Sequence, residues 1–176
     1  MFGLANPDRF MRFTGPLVPV LWICALGLLL AGTWFSFTAP ADYQQGDTVR
    51  IMFIHVPAAS LGLMAYGALG VSSFFALVFR HPLADAAARA AAVLGLVGLI
   101  NLPIVKFSVD WWNTLHQPAS LLRSGGTSVD PVFLPALLTM MAAYAVLFGA
   151  IWLTSIRTEV RRRRVLTLRA RAALEA

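Results

Sequence analysis

The chain has 176 residues, 59% of them apolar and 12% charged, with a formal net charge of +6 and a mean hydropathy of +0.73. That balance is too apolar for a soluble domain of this length. The positive charge suggests a nucleic-acid partner, but the arginines gather at the ends of apolar blocks, so no nucleic-acid partner is expected.

Four apolar blocks, at about residues 16–37, 52–79, 91–109 and 132–156, approach or exceed the ~20 residues needed to cross hydrocarbon. The fold class expected is all-α: a polytopic membrane protein with four transmembrane helices and short loops. Residues 1–176 form one integral domain, of which 157–176 are a basic cytoplasmic tail. Arg9 and Arg12 precede the first block, Arg80 and Arg89 lie between the second and third, and Arg157, Arg161 to Arg164, Arg169 and Arg171 follow the fourth. The other loops hold only Arg50 and Arg123, offset by Asp42, Asp47, Asp110 and Asp130. With four crossings every Arg-rich segment falls on one side, as the positive-inside rule requires. Both termini are then cytoplasmic, and the loops after the first and third spans face outward.

Span one is Leu/Val-rich, with Trp22 inside it and Trp34, Phe35 and Phe37 as an interfacial belt at its outer end. Pro16 and Pro19 are expected in its first turns, where proline costs little. Ala39-Pro40-Ala41 loosely resembles a signal-peptide cleavage site, but the preceding apolar stretch is too long for one. In span two, Pro57 suits an early helical position and places His55 at or just before the helix N-terminus. Ala58, Ala59, Gly62, Tyr66 and Gly70 share the His55 stripe, and small residues there predict close approach of a neighbouring helix. Residues 80–85 read as a cytoplasmic turn, with His81 a loop histidine. Span three carries Asn101, Pro103 and Lys106 in its outer half, and Lys106 stands i,i+4 from Asp110 as an interfacial lysine reaching a helix-end carboxylate. Trp111 and Trp112 mark the outer interface, four residues from His116, and Ser124-Gly125-Gly126-Thr127 follows. Span four begins near Pro131–Pro135. Cys24 is the only cysteine, so no intramolecular disulfide forms.

The chemistry sits at two outward loops. His55 opens span two and His116 follows span three, so antiparallel spans bring both imidazoles to the same face at the same depth. Neutral imidazole is a good ligand for haem iron, and two facing imidazoles make an axial pair. Arg123 can pair with a propionate, and Trp111 and Trp112 can cover a porphyrin edge. No paired catalytic carboxylates, nucleophile motif or phosphate-binding glycine loop occurs, so no enzymatic activity is expected. No Cys-x-x-Cys-His occurs either, so covalent haem is not expected. A bis-His electron-transfer cytochrome fits less well, because such proteins usually bury haem within their spans.

Ile51-Met52-Phe53-Ile54-His55-Val56-Pro57-Ala58-Ala59 and the longer string Asn101-Leu102-Pro103-Ile104-Val105-Lys106-Phe107-Ser108-Val109-Asp110-Trp111-Trp112-Asn113-Thr114-Leu115-His116-Gln117-Pro118 resemble haem exporter protein C of the bacterial cytochrome c maturation system. The similarity runs from about residue 10 to 160. It implies an inner-membrane protein, with periplasmic His-bearing loops, that takes part in haem transport and cytochrome c-type biogenesis. Haem would be bound transiently by two periplasmic axial histidines, which map onto His55 and His116, and passed to a membrane-anchored haem chaperone. An ABC-transporter pair and a small single-span subunit are the further partners implied.

One departure stands out. Family members usually have six spans, with a tryptophan-rich periplasmic segment between the third and fourth. Residues 81–85 resemble the end of the family's second span, and Ala91 onward the start of its fifth. Two spans and the aromatic platform between them have no counterpart, with a seam near Asp85–Arg89. An even number is lost, so both histidines stay outside. The alternative role is a non-catalytic membrane scaffold, or an internally deleted product without haem competence, that binds partner subunits.

Overall fold

A computed structural model describes residues 6–79, 83–89 and 129–175. The elements are α1 (Pro7–Thr38), a 3-10 turn (Asp47–Ile51), α2 (Met52–Phe79), helical residues 83–89 (α3), a second 3-10 turn (Pro131–Phe133) and α4 (Leu134–Glu175). The described residues contain no strand, only an isolated bridge between Asp42 and Gly46. Three helical runs are long and apolar enough to cross a membrane, Pro7–Thr38, Asp47–Phe79 and Pro131–Glu175. The expected span at 91–109 lies outside the described residues.

α1 starts earlier than its apolar block. The Asn6 side chain accepts from the Asp8 and Arg9 amides, Pro7 occupies the first turn, and Asp8 adds a negative charge there, a strong N-terminal signature. Pro16 and Pro19 are therefore interior residues, not first-turn ones as expected. Each removes one i→i−4 bond, a loss that neighbouring groups can offset in a membrane helix. In the same stretch α4 is tied to α1 by Arg157, which donates from Nη1 to the Met11 carbonyl at 2.7 Å and to Thr14 Oγ1.

α1 and α4 run antiparallel along most of their length. Gly32 meets Met140, Trp22 Nε1 donates to Thr154 Oγ1 at 3.2 Å, and Asp8 pairs with Arg164. The Gly32 crossing is tight: a Cβ there would stand 2.6 Å from Met140 Sδ and 3.3 Å from the Met140 backbone nitrogen. The side chain could swing aside, but the backbone could not. Gly32→Val is expected to separate the two helices at a cost of ~1–3 kcal/mol, typical of overpacking. A lowered thermal midpoint in detergent would register it; an unchanged midpoint would mean the helices are not pressed together here.

Two clusters close the ends of the bundle. At one end Ala39, Val49, Phe53, Phe133, Ala136, Leu137 and Met140 form a buried core. Phe53 is fully buried, its ring 6.1 Å from that of Phe133. At the other end Leu83, Ala86 and Ala87 of α3 pack on Ile156 and Val160, with Phe10, Met11 and Trp152 alongside. Trp152 Nε1 also donates to the Ala87 carbonyl at 3.4 Å. Asp85 pairs with Arg163 and Arg89. The hydrogen bond from Arg163 is the main cause holding the Asp85 carboxyl below the usual carboxylate range. Leu83, Ala84 and Asp85, read as part of a turn, are thus helical and docked.

The basic tail is helical as well, continuing α4 without a break to Glu175. It holds no proline, and no glycine follows Gly149. Arg, Ala, Leu and Glu are good helix formers.

Candidate functional site: the end of the bundle that carries His55

Beyond α1, Asp42 ties a compact knot. Its Oδ1 accepts from the Gln44 and Gln45 amides at 2.9 and 2.8 Å, and its backbone exchanges two hydrogen bonds with Gly46. Gly46 closes the knot at φ 56°, a left-handed conformation that costs glycine least. Tyr43 rides on this knot, 91% exposed.

The 3-10 turn that follows fastens the start of α2 to the end of α1. Arg50 does this from a half-buried position, pairing with Asp47 at 3.1 Å and donating to the Ala39 carbonyl at 3.5 Å. Its Nε is buried without a hydrogen-bond partner. Among the described residues Arg50 is the one cation at this end, opposite Asp42, Asp47 and Asp130. In the sequence alone it stands out only as a loop charge. The available signal was its position, five residues ahead of His55 in one continuous helical run.

His55 is the fourth residue of α2 and is half-buried. The helical run already begins at Asp47, so His55 lies about two turns into it and not at its start. Phe53 and Pro57, on either side of His55, are both fully buried. The most buried positions of α2 are Phe53, Pro57, Ala65 and Ser72, a face centred roughly 140° around the helix from the His55 stripe. Among the described residues, nothing stands within 4 Å of a Cβ added at Gly62 or Gly70. Phe53 packs this side of α2 on Phe133, Ala136, Leu137 and Met140, while the neighbour expected along the His55 stripe, the span at 91–109, lies outside the described residues.

On the facing side Asp130 caps the start of the fourth apolar block, its Oδ1 accepting from the Val132 amide at 2.9 Å, with Pro131 in the first turn. His55 and the Asp130 cap therefore share the end of the bundle opposite Arg157, Arg163 and Arg164. Of the site residues expected from sequence, only His55 falls within the described residues. His116, Trp111, Trp112 and Arg123 lie outside them, as do Lys106, Asp110, His81 and the loop 124–127. Among the described residues no cluster of three or more His, Cys, Asp or Glu could hold a metal ion. Cys24 is exposed on α1.

Long apolar helices, an arginine-loaded end and a half-buried histidine at the opposite end define the class: a helical membrane protein. The sequence profile described as "Heme exporter protein C" matches residues 1–92 and 84–171. The "Heme exporter protein C" of Bradyrhizobium diazoefficiens is 40% identical over 231 residues, covering 96% of this chain and 88% of that protein. The proteins of the same name from Paracoccus denitrificans and Escherichia coli K12 are 29% and 28% identical, covering 95% and 88% of this chain and 96% and 88% of their own lengths. This chain belongs to the haem exporter protein C family. The two matched stretches meet at residues 84–92, where the sequence places its seam, and the alignment to the Bradyrhizobium protein is longer than the chain itself.

Proposed function

We propose that this protein handles haem for c-type cytochrome biogenesis at the periplasmic face of the bacterial inner membrane. Haem iron would be held axially by His55 and His116, a propionate by Arg123, and the porphyrin edge by Trp111 and Trp112. The cargo would leave by ligand exchange to a membrane-anchored chaperone. An ABC-transporter pair and a small single-span subunit complete the assembly under this reading. The work is coordination and release, with no covalent bond made or broken, so the protein is not an enzyme. The observation that carries the reading is family membership together with His55 at the bundle end opposite the arginines.

That orientation is directly testable. Reporter domains fused at Gln45 and Gly125 are expected to read periplasmic, and one fused after Glu175 cytoplasmic. A cytoplasmic reading at both Gln45 and Gly125 would refute the orientation and, with it, haem presentation at the outer face.

A second reading, a scaffold that binds partner subunits without carrying haem, is favoured by the seam. Residues 83–89 are packed and ion-paired against α1 and α4, so the short chain has a formed junction where relatives continue into further sequence. Haem that co-purifies with this chain from haem-replete cells supports the first reading. A folded chain with its partners and no haem supports the second.

A further inference from the structure

At the arginine-rich end α3 and α4 border an open cavity of about 250 Å³, lined among the described residues by the side chains of Arg89, Thr154, Ser155, Thr158 and Glu159. It lies where α4 passes from apolar sequence into the arginine run, at the level of Trp22 and Trp152, which bond to Thr154 and to Ala87. Tryptophans at such a transition mark headgroup depth in a membrane protein.

The charges around the cavity do not cancel. Glu159 binds Arg162 through both carboxylate oxygens, at 2.7 and 2.8 Å, and takes Arg163 at 2.9 Å. Arg163 also pairs with Asp85, and Arg89 reaches Asp85 at 3.5 Å. Three guanidiniums thus share two carboxylates, leaving one positive charge. Arg89 carries most of its donor capacity unspent, since it is 63% exposed and contacts Asp85 through Nε.

The hydroxyls add a second requirement. Ser155 donates to the Ile151 carbonyl at 2.8 Å and Thr158 to the Thr154 carbonyl at 3.0 Å. Their protons are committed, so toward the cavity each offers lone pairs only. The matching ligand is a monoanion that accepts from arginine and donates from hydroxyl groups. A choline headgroup is net neutral and has no such donor.

We propose that this cavity holds the headgroup of an anionic, hydroxyl-bearing phospholipid, a phosphatidylglycerol. Its phosphodiester is received by Arg89 and its glycerol hydroxyls by Ser155 and Thr158. Basic pockets between membrane helices bind anionic headgroups in this way. A soluble phosphate ester such as glycerol 3-phosphate shares the same chemistry, and the test separates the two.

The full chain, released from nanodiscs of equimolar phosphatidylglycerol and phosphatidylcholine, is weighed with its bound lipid by native mass spectrometry. Phosphatidylglycerol adducts are expected to dominate. Arg89→Gln should cut that preference about fivefold, and Asp85 keeps Arg163 as partner, so the α3 dock stays closed. Thr158→Val, nearly isosteric, should lower the preference as well and serves if Arg89→Gln does not fold. Arg169→Gln with Arg171→Gln, farther along the tail, should leave it unchanged. Equal binding of the two lipids overturns the proposal. So does an unchanged preference in folded Thr158→Val, or a loss in the tail variant as large as in Arg89→Gln, which would mean diffuse attraction. Displacement of the lipid by excess glycerol 3-phosphate would assign the cavity to a soluble ester instead.

Discussion

Restoring a tryptophan-rich hairpin with its two flanking spans after Arg89 is expected to raise haem retention by at least one order of magnitude. The sequence offers no flat multi-tryptophan face. The loops expected to face outward, 38–49 and 117–130, offer Tyr43 and Arg123, and Trp111 and Trp112 precede the second of them in sequence. A ring stacked on a planar ligand contributes ~1–3 kcal/mol by analogy with base stacking, which is about five- to hundredfold in affinity for each ring. The unmodified chain should accordingly hold haem weakly, and Arg123→Glu should weaken it further by replacing a propionate partner with a like charge. The junction decides where the graft belongs. Ala86 and Ala87 are buried against α4, and Asp85 is paired with Arg163. An insertion between Asp85 and Arg89 would pull this dock apart, whereas one after Arg89 leaves it intact. Haem titration of the two proteins in detergent checks the prediction. Tight, stoichiometric haem in the 176-residue chain would show that the platform is dispensable.

Where the sequence resolved the fold, it did so through simple physics. The second block was legible to the residue because Arg50 and Arg80 bound an uninterrupted apolar run, and α2 spans Met52–Phe79. The separation of a His55 end from an arginine end was legible in the placement of the arginines, before α1, between the second and third blocks and along the end of α4. The start of α1 was missed because hydropathy does not register a cap. Asn6, Pro7 and Asp8 begin the helix in polar sequence, nine residues before the apolar block, which also moves Pro16 and Pro19 inside it. The helical tail was missed for a related reason, since arginines end a membrane span without ending a helix. The packing of α2 on α4 through Phe53 was not foreseen, because the stripe of small residues drew attention to the other side of the helix, whereas the Phe53 ring fills a core against Phe133. Within the site itself, Arg50 escaped notice because its role depends on the Ala39 carbonyl, eleven residues away in sequence.

The second large effect concerns the iron. His55 stands two turns into a continuous helical run, between the buried residues Phe53 and Pro57, so its backbone is held at a half-buried position. In the proposed complex the opposing imidazole is that of His116. Two axial nitrogens each ~2 Å from a metal, by analogy with zinc–imidazole bonds, must stand about 4 Å apart, on opposite faces of the porphyrin. Removing either one cannot be offset by the other, since each fills a separate coordination position. His55→Ala and His116→Ala should therefore each abolish six-coordinate bis-histidine ligation, while His81→Ala, in the expected cytoplasmic turn, should leave it intact.

The most direct test is the absorption spectrum of haem bound to the purified full-length chain, recorded beside His55→Ala and His116→Ala under the same loading. The account predicts a low-spin bis-histidine spectrum in the parent protein that is lost in each variant. A low-spin spectrum that persists unchanged in either variant would contradict it.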